Sequence, residues 1–236
     1  MSRLPSHGPE ASQKSAPLLP GDPRLKTGHT RKTEALLANR VAQFNSYSCS
    51  AAAVATVINA IRRISSPPGF FRALSQKEIL RRVDCHHWRE RVSDDGYRGS
   101  HGMPLLEFGE AVQAALGACR ISAARVVTVE IRHAMADLEA RKKRLRRVLR
   151  AFAEKSGDFL IAHFTQGEYF GEWYGGHISP VGVYDERSQR VLILDVDPEC
   201  PVPYWVSVDR FFEGLLGRSK VIGRPGGGYV RIELEN

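Results

Sequence analysis

Four residues of this chain have the types and spacing that thiol chemistry needs. Cys49 closes the segment Gln43-Phe-Asn-Ser-Tyr-Ser-Cys49 and opens Cys49-Ser-Ala-Ala-Ala-Val-Ala-Thr-Val-Ile-Asn-Ala-Ile-Arg-Arg63, which is apolar nearly all round and rich in small side chains. Such a run suits a helix packed closely on every side. A cysteine at its start faces unpaired N–H groups and the positive end of the helix dipole, and both favour thiolate over thiol. Gln43, six residues upstream, is placed to donate its amide to a developing oxyanion once the chain turns into the helix. Taken alone, a cysteine at a helix start is more often a small buried hydrophobe.

The other two residues lie far downstream. His177 falls in Gly175-Gly-His-Ile-Ser-Pro-Val-Gly-Val-Tyr184 and Asp195 in Arg190-Val-Leu-Ile-Leu-Asp-Val-Asp197, with a polar turn between them. The two β-rich runs are predicted to form an antiparallel hairpin. A turn centred on Arg187 sets Asp195 opposite Ser179, and His177 is then a diagonal neighbour on the same face, within side-chain reach. An aspartate accepting from one imidazole nitrogen fixes the tautomer and leaves the other nitrogen for a thiol. For this hairpin alone, a histidine at a strand end beside an unrelated aspartate is the plainer alternative. Together the features are more specific: Gln, Cys, His and Asp in that order, with the cysteine opening a central helix and the others on adjacent strands, resemble the organisation of papain-like thiol enzymes.

The elements that must position these residues fall into two groups. Residues 1–33 carry five of the thirteen prolines together with Ser, Gly and charge, and are expected to form a flexible leader. The catalytic domain is expected over 34–236, beginning with a short amphipathic helix or turn at Glu34–Arg40. Ser65-Ser-Pro-Pro-Gly69 ends the central helix with turn chemistry. Further helices are predicted at about Pro104–Leu116 and Met135–Lys155, with a strand at Arg125–Ile131 between them. After Gly157 come short runs rich in β-formers: Phe159–Phe164, His177–Tyr184, Val191–Val196, Tyr204–Val208 and Tyr229–Leu234. Helices first and strands afterwards argue α+β, an N-terminal helical lobe against a C-terminal antiparallel sheet. Gly226-Gly-Gly228 lacks the lysine and helix of a phosphate loop and reads as a turn. No GxGxxG pattern is present, and the chemistry calls for no cofactor.

Composition excludes several classes. At 236 residues, 42% hydrophobic and 25% charged, the chain can bury a core without disulfide or metal staples. Cys49, Cys85, Cys119 and Cys200 fall at irregular intervals without a Cys-x-x-Cys pair, which disfavours a zinc ribbon or a thioredoxin-type centre. No signal peptide or membrane-span pattern is found, so the expected compartment is the cytoplasm. The net charge of +8 is concentrated in the leader and in residues 141–150, where seven of ten are cationic. Leu138, Leu145, Val148, Leu149 and Phe152 recur at helical spacing beneath that run, so a solvated helix face is expected; an acidic partner is the alternative. No aromatic interleaves it to stack on bases, which disfavours nucleic acid. Cys85, His86, His87 and His101 match no standard metal spacing, and a surface loop without metal is expected there. Trp173, Tyr174 and Trp205 either line a cleft or pack the sheet edge.

Gln43-x5-Cys49 with its alanine-rich continuation, the Gly-Gly-His-Ile-Ser-Pro-Val-Gly-Val-Tyr stretch and Val-Leu-Ile-Leu-Asp-Val together resemble the phytochelatin synthase family, particularly its short bacterial members. Pro203-Tyr-Trp-Val-Ser-Val-Asp-Arg-Phe-Phe and Gly102-Met-Pro-Leu-Leu-Glu-Phe are similar to further family segments. The resemblance implies Cys49 as nucleophile, His177 as general base and acid, Asp195 as its orienting partner and Gln43 as oxyanion donor, with Asn45 near the acyl pocket. It implies attack on the Cys–Gly peptide of glutathione, loss of glycine, and a γ-glutamylcysteinyl thioester passed to water or to another glutathione. Two departures stand out. Ser50 replaces the glycine usual after the nucleophile, and Pro198, between Asp197 and Glu199, replaces a cation three residues after the aspartate. The second removes a charge-assisted contact to a doubly carboxylated substrate, about 1.5–3 kcal/mol. The runner-up function is therefore an acyltransferase or amide-forming enzyme of secondary metabolism, fed by an acidic carrier protein docking on residues 141–150. A second alternative, of a different class, is a non-catalytic binding module with an unreactive Cys49.

Overall fold

Small side chains put a helix where the core needs one. In the computed structural model, which describes residues 30–67, 69–133, 136–170, 175–217 and 226–235, α2 (Cys49–Ser65) is buried continuously from Cys49 to Ile61. Its alanines at 51, 52, 53, 55 and 60 are fully enclosed. Around it lie α1 (Thr30–Ala38), α3 (Gln76–Arg82), the short α4 (Trp88–Arg91) and α5 (Leu105–Ala118). Ser75 and Glu78 start α3 with a reciprocal capping box.

α1 begins four residues ahead of the expected Glu34, because Lys32 and Thr33 belong to the core, each 3% exposed. The Lys32 ammonium donates to the carbonyls of Phe152, Lys155 and Asp158. These include the C-terminal carbonyls of α6 (Leu138–Glu154), which lack partners within the helix and favour a cation. Burial lowers the Lys32 pKa to about 8, against the opposing pull of Asp158.

Among the described residues six strands form one antiparallel sheet: β1 (Ala123–Ile131), β2 (Asp158–Thr165), β3 (Gly176–Asp185), β4 (Arg190–Ile193), β5 (Tyr204–Ser207) and β6 (Gly227–Leu234), in the order β1-β6-β2-β3-β4-β5. Helices and antiparallel sheet make the fold α+β, as expected. The helical lobe covers only one face, though. Phe159 and Ile161 of β2 join the core shared with α1, α2, α3 and α5, while Leu160 and Ala162 join a second core with α6 and α8 (Val208–Gly217). With both faces covered, β2 and β3 are buried along nearly their whole length rather than at alternate residues. On α6, Leu145, Leu149 and Phe152 point inward. Lys142 and Arg146 pair with Asp209, and Arg150 pairs with Glu186.

The expected turn at Gly226–Gly228 is instead the start of β6. Gly227 pairs with Ile131, and Gly228 with Glu130 and His163. A Cβ on Gly227 would lie 2.5 Å from the carbonyl oxygens of His163 and Leu215, and one on Gly228 2.0 Å from that of Val129. Glycine is there for close backbone approach, not for a reversal.

The β3–β4 hairpin has an irregular register. Near the turn Asp185 pairs with Arg190 and Val183 with Leu192, but Val181 pairs with Ile193. Gly182 is thus an extra residue on β3, a bulge, and a Cβ there would lie 2.8 Å from Leu194 Cδ2. Val183 consequently faces the α2 core and Val181 the α8 core. Beyond β4 the pairing continues through Leu194 N–H to the Pro180 carbonyl, which sets Asp195 beside Ser179. The sequence expectation of that neighbour is met, with the turn one step out and the bulge restoring it.

Candidate functional site

The chain approaching Cys49 is pinned on three sides. Val41 N–H donates to Thr56 Oγ1, Gln76 Nε2 to the Ala42 carbonyl, and Gln43 N–H to the Val196 carbonyl at 2.8 Å. The last bond joins Gln43 to the residue after Asp195. Gln43 Oε1 is buried without a hydrogen-bond partner. Ser48 precedes α2 without capping it; its Oγ accepts from Phe44 and Asn45 N–H and donates to the Asn45 carbonyl, closing the loop on itself. Cys49 is the first residue of α2, 8% exposed, beside N–H groups that no side chain caps. Ser50 accepts from Trp88 Nε1 at 2.9 Å, so the hydroxyl at the position after Cys49 has a partner in the core.

On the sheet, His177 Nε2 meets Asp195 Oδ1 at 2.6 Å. Nδ1 is the ring nitrogen that Asp195 leaves open, and the Cys49 side chain lies beside the imidazole. Phe164, opposite His177 in the β2–β3 ladder, sets its ring edge-on to the imidazole at 5.6 Å. Burial disfavours the imidazolium, but the Asp195 carboxylate and the contact with Cys49 outweigh it and raise the His177 pKa to about 10. Burial likewise pushes Asp195 upward, and His177, Tyr204 and the Asp197 N–H more than offset this, leaving it below the ordinary carboxylate range.

Cys49, His177 and Asp195 therefore converge, with the Gln43 backbone tied alongside. Asn45 is occupied: its Nδ2 donates to the Val92 carbonyl and Asp94 Oδ1, and its Oδ1 accepts from Tyr47 N–H. That amide fastens the loop before Cys49 to residues 92–94. Three residues escaped the sequence reading. Tyr204 and Gln166 both donate to Asp195 Oδ2, at 2.6 and 3.0 Å. Arg40 donates to the carbonyls of Asp195, Cys200 and Pro201, strapping the segment that carries the aspartate. A signal for Tyr204 existed: it pairs with Ile193, which makes it diagonal to Asp195 by the same rule that found His177.

The histidines of the polar insert diverge. His86 pairs with Glu110, His87 pairs with Glu90 and stacks on Tyr97, and His101 meets the Asp94 carbonyl and stacks on Tyr47. Among the described residues no group of three or more His, Cys, Asp or Glu could hold a metal ion. Trp205 packs into the core on the α2 side of the sheet; Trp173 and Tyr174 lie outside the described residues. No disulfide joins the four cysteines. No helix among the described residues is long and apolar enough to cross a membrane.

The family model for phytochelatin synthase matches residues 11–227. A glutathione gamma-glutamylcysteinyltransferase of Schizosaccharomyces pombe is 38% identical over 63 residues, which cover 27% of this chain and 15% of that protein.

Proposed function

The chain belongs to the phytochelatin synthase family, and on that premise we propose that it is a papain-like, thiol-dependent acyltransferase or hydrolase that works through a thioester on Cys49, with glutathione as acyl donor. His177 Nδ1 takes the thiol proton, or already shares it as an ion pair. The sulfur attacks the carbonyl carbon of the cysteinyl–glycine peptide, and the oxyanion is met by the Cys49 N–H and the Gln43 amide. The imidazolium then protonates the glycine nitrogen as the C–N bond breaks. The γ-glutamylcysteinyl thioester is released to water or to the amine of a second glutathione, which restores the thiol. Such an enzyme would work in the cytoplasm, where its donor is a free tripeptide.

The observation that carries this reading is the His177–Asp195 pair at 2.6 Å with the Cys49 side chain beside the same imidazole. The name of the yeast relative supports the choice of donor. Purified protein mixed with glutathione is expected to release glycine and to carry a γ-glutamylcysteinyl adduct on Cys49 by intact mass. Cys49→Ala should lower glycine release by about 10³-fold or more.

A second reading keeps the chemistry and changes the donor, to an acyl group delivered by an acidic carrier. It is favoured by Asp197 and Glu199 around Pro198 and by Arg40, whose guanidinium is spent on three main-chain carbonyls. Inertness toward glutathione together with iodoacetamide labelling of Cys49 at pH 6 would select it. Absence of labelling and of turnover would select a binding module.

A further inference from the structure

Asp195 is fully buried, yet its carboxylate takes five hydrogen bonds. His177 Nε2, Asp197 N–H and Ser179 Oγ meet Oδ1 at 2.6, 2.9 and 3.4 Å; Gln166 Nε2 and Tyr204 O–H meet Oδ2. A carboxylate without water stays ionised only if donors replace it. Oδ1 can face the imidazole only while Oδ2 is held on the far side, and Tyr204 and Gln166 are its donors there. Tyr204 is itself held, on β5 opposite Ile193 with its ring against Phe170 at 5.1 Å. Burial and the neighbouring carboxylate push its phenol pKa well above the usual value, so it remains a donor throughout the working range.

We infer that Tyr204, assisted by Gln166, is a positioning residue: its O–H keeps Asp195 ionised and turned toward His177, and thereby keeps Cys49 reactive into the acid range. This rests on Cys49, His177 and Asp195 being the reacting group, not on which acyl donor they use.

The test is the rate of Cys49 alkylation by iodoacetamide from pH 4 to 9, resolved from the other cysteines by peptide mass spectrometry. Without the Tyr204 donor, Asp195 protonates at higher pH and ceases to support the imidazolium. The acid limb of Tyr204→Phe should move up by about half a pH unit or more, which is about a threefold lower rate on that limb, with the alkaline plateau retained. Gln166→Leu removes the other Oδ2 donor and should move the limb in the same direction. Tyr184→Phe removes a hydroxyl bonded to Gln189 at the far end of the hairpin and should leave the limb in place. A Tyr204→Phe limb that coincides with wild type, or a Tyr184→Phe limb that moves as far, overturns the positioning role. Glutathione inertness would overturn only the substrate proposed above. A wild-type Cys49 that alkylates only in the ordinary thiol range would overturn both.

Discussion

The thiol half of the site and the imidazole–carboxylate half are fixed by different physics. Cys49 is placed by packing, at the end of a helix whose alanines are enclosed on all sides. His177 and Asp195 are placed by directed polar bonds, five of them on one buried carboxylate. The division follows from the groups themselves. A sulfur on a short side chain is aimed once its helix is located, and close packing locates a helix. Imidazole and carboxylate are planar and must also be oriented, which hydrogen bonds do and apolar contact does not.

Breaking the polar half should cost most in chemistry. Asp195→Asn presents an amide where the imidazole needs an acceptor, and turnover of the acyl donor is expected to fall about 10³–10⁴-fold with the protein still folded by circular dichroism. A loss under tenfold would mean that something else orients His177. Breaking the packed half should cost stability instead. Ala53→Leu forces extra methyl groups into a fully enclosed position, with an expected loss of about 1–3 kcal/mol in denaturant unfolding. The acid limb of Cys49 alkylation in the folded remainder should stay where it was; if it shifts, packing also sets orientation and the contrast fails.

The smallest effect sharpens the comparison through pH. His177 has a folded pKa of about 10 against its ordinary 6.5, so its contribution to stability is complete below about pH 6.5 and is lost as pH rises toward 10. The advantage of wild type over His177→Ala, followed by denaturant midpoints, should therefore shrink across that window. A difference independent of pH would contradict the pairing.

What sequence reading reached, and what it missed, divides along similar lines. Cys49 opening a helix, the hairpin carrying His177 and Asp195, and most strands were legible because each rests on local periodicity or a short turn. Arg40 and Gln166 were not, since each meets the Asp195 segment only after distant stretches of chain are folded together. Lys32 misled the start of α1, because a lysine signals solvent until three carbonyls are found to surround it. Gly227 and Gly228 misled β6, because the reason for glycine there is the nearness of other strands' backbones. The insert around His86 and His87 has left-handed backbone at both residues, a conformation that neither propensity nor pattern announces.

A β-sheet counts in twos, and Gly182 is the odd step that keeps the count right at the far end of the hairpin. The exposed tip at Glu186–Ser188 can lengthen in any lineage without disturbing what lies beyond it. Were Gly182 taken into the ladder as a paired residue, every partner beyond it would slip by one, leaving the imidazole and its carboxylate back to back across the sheet, each intact and neither of use to the other.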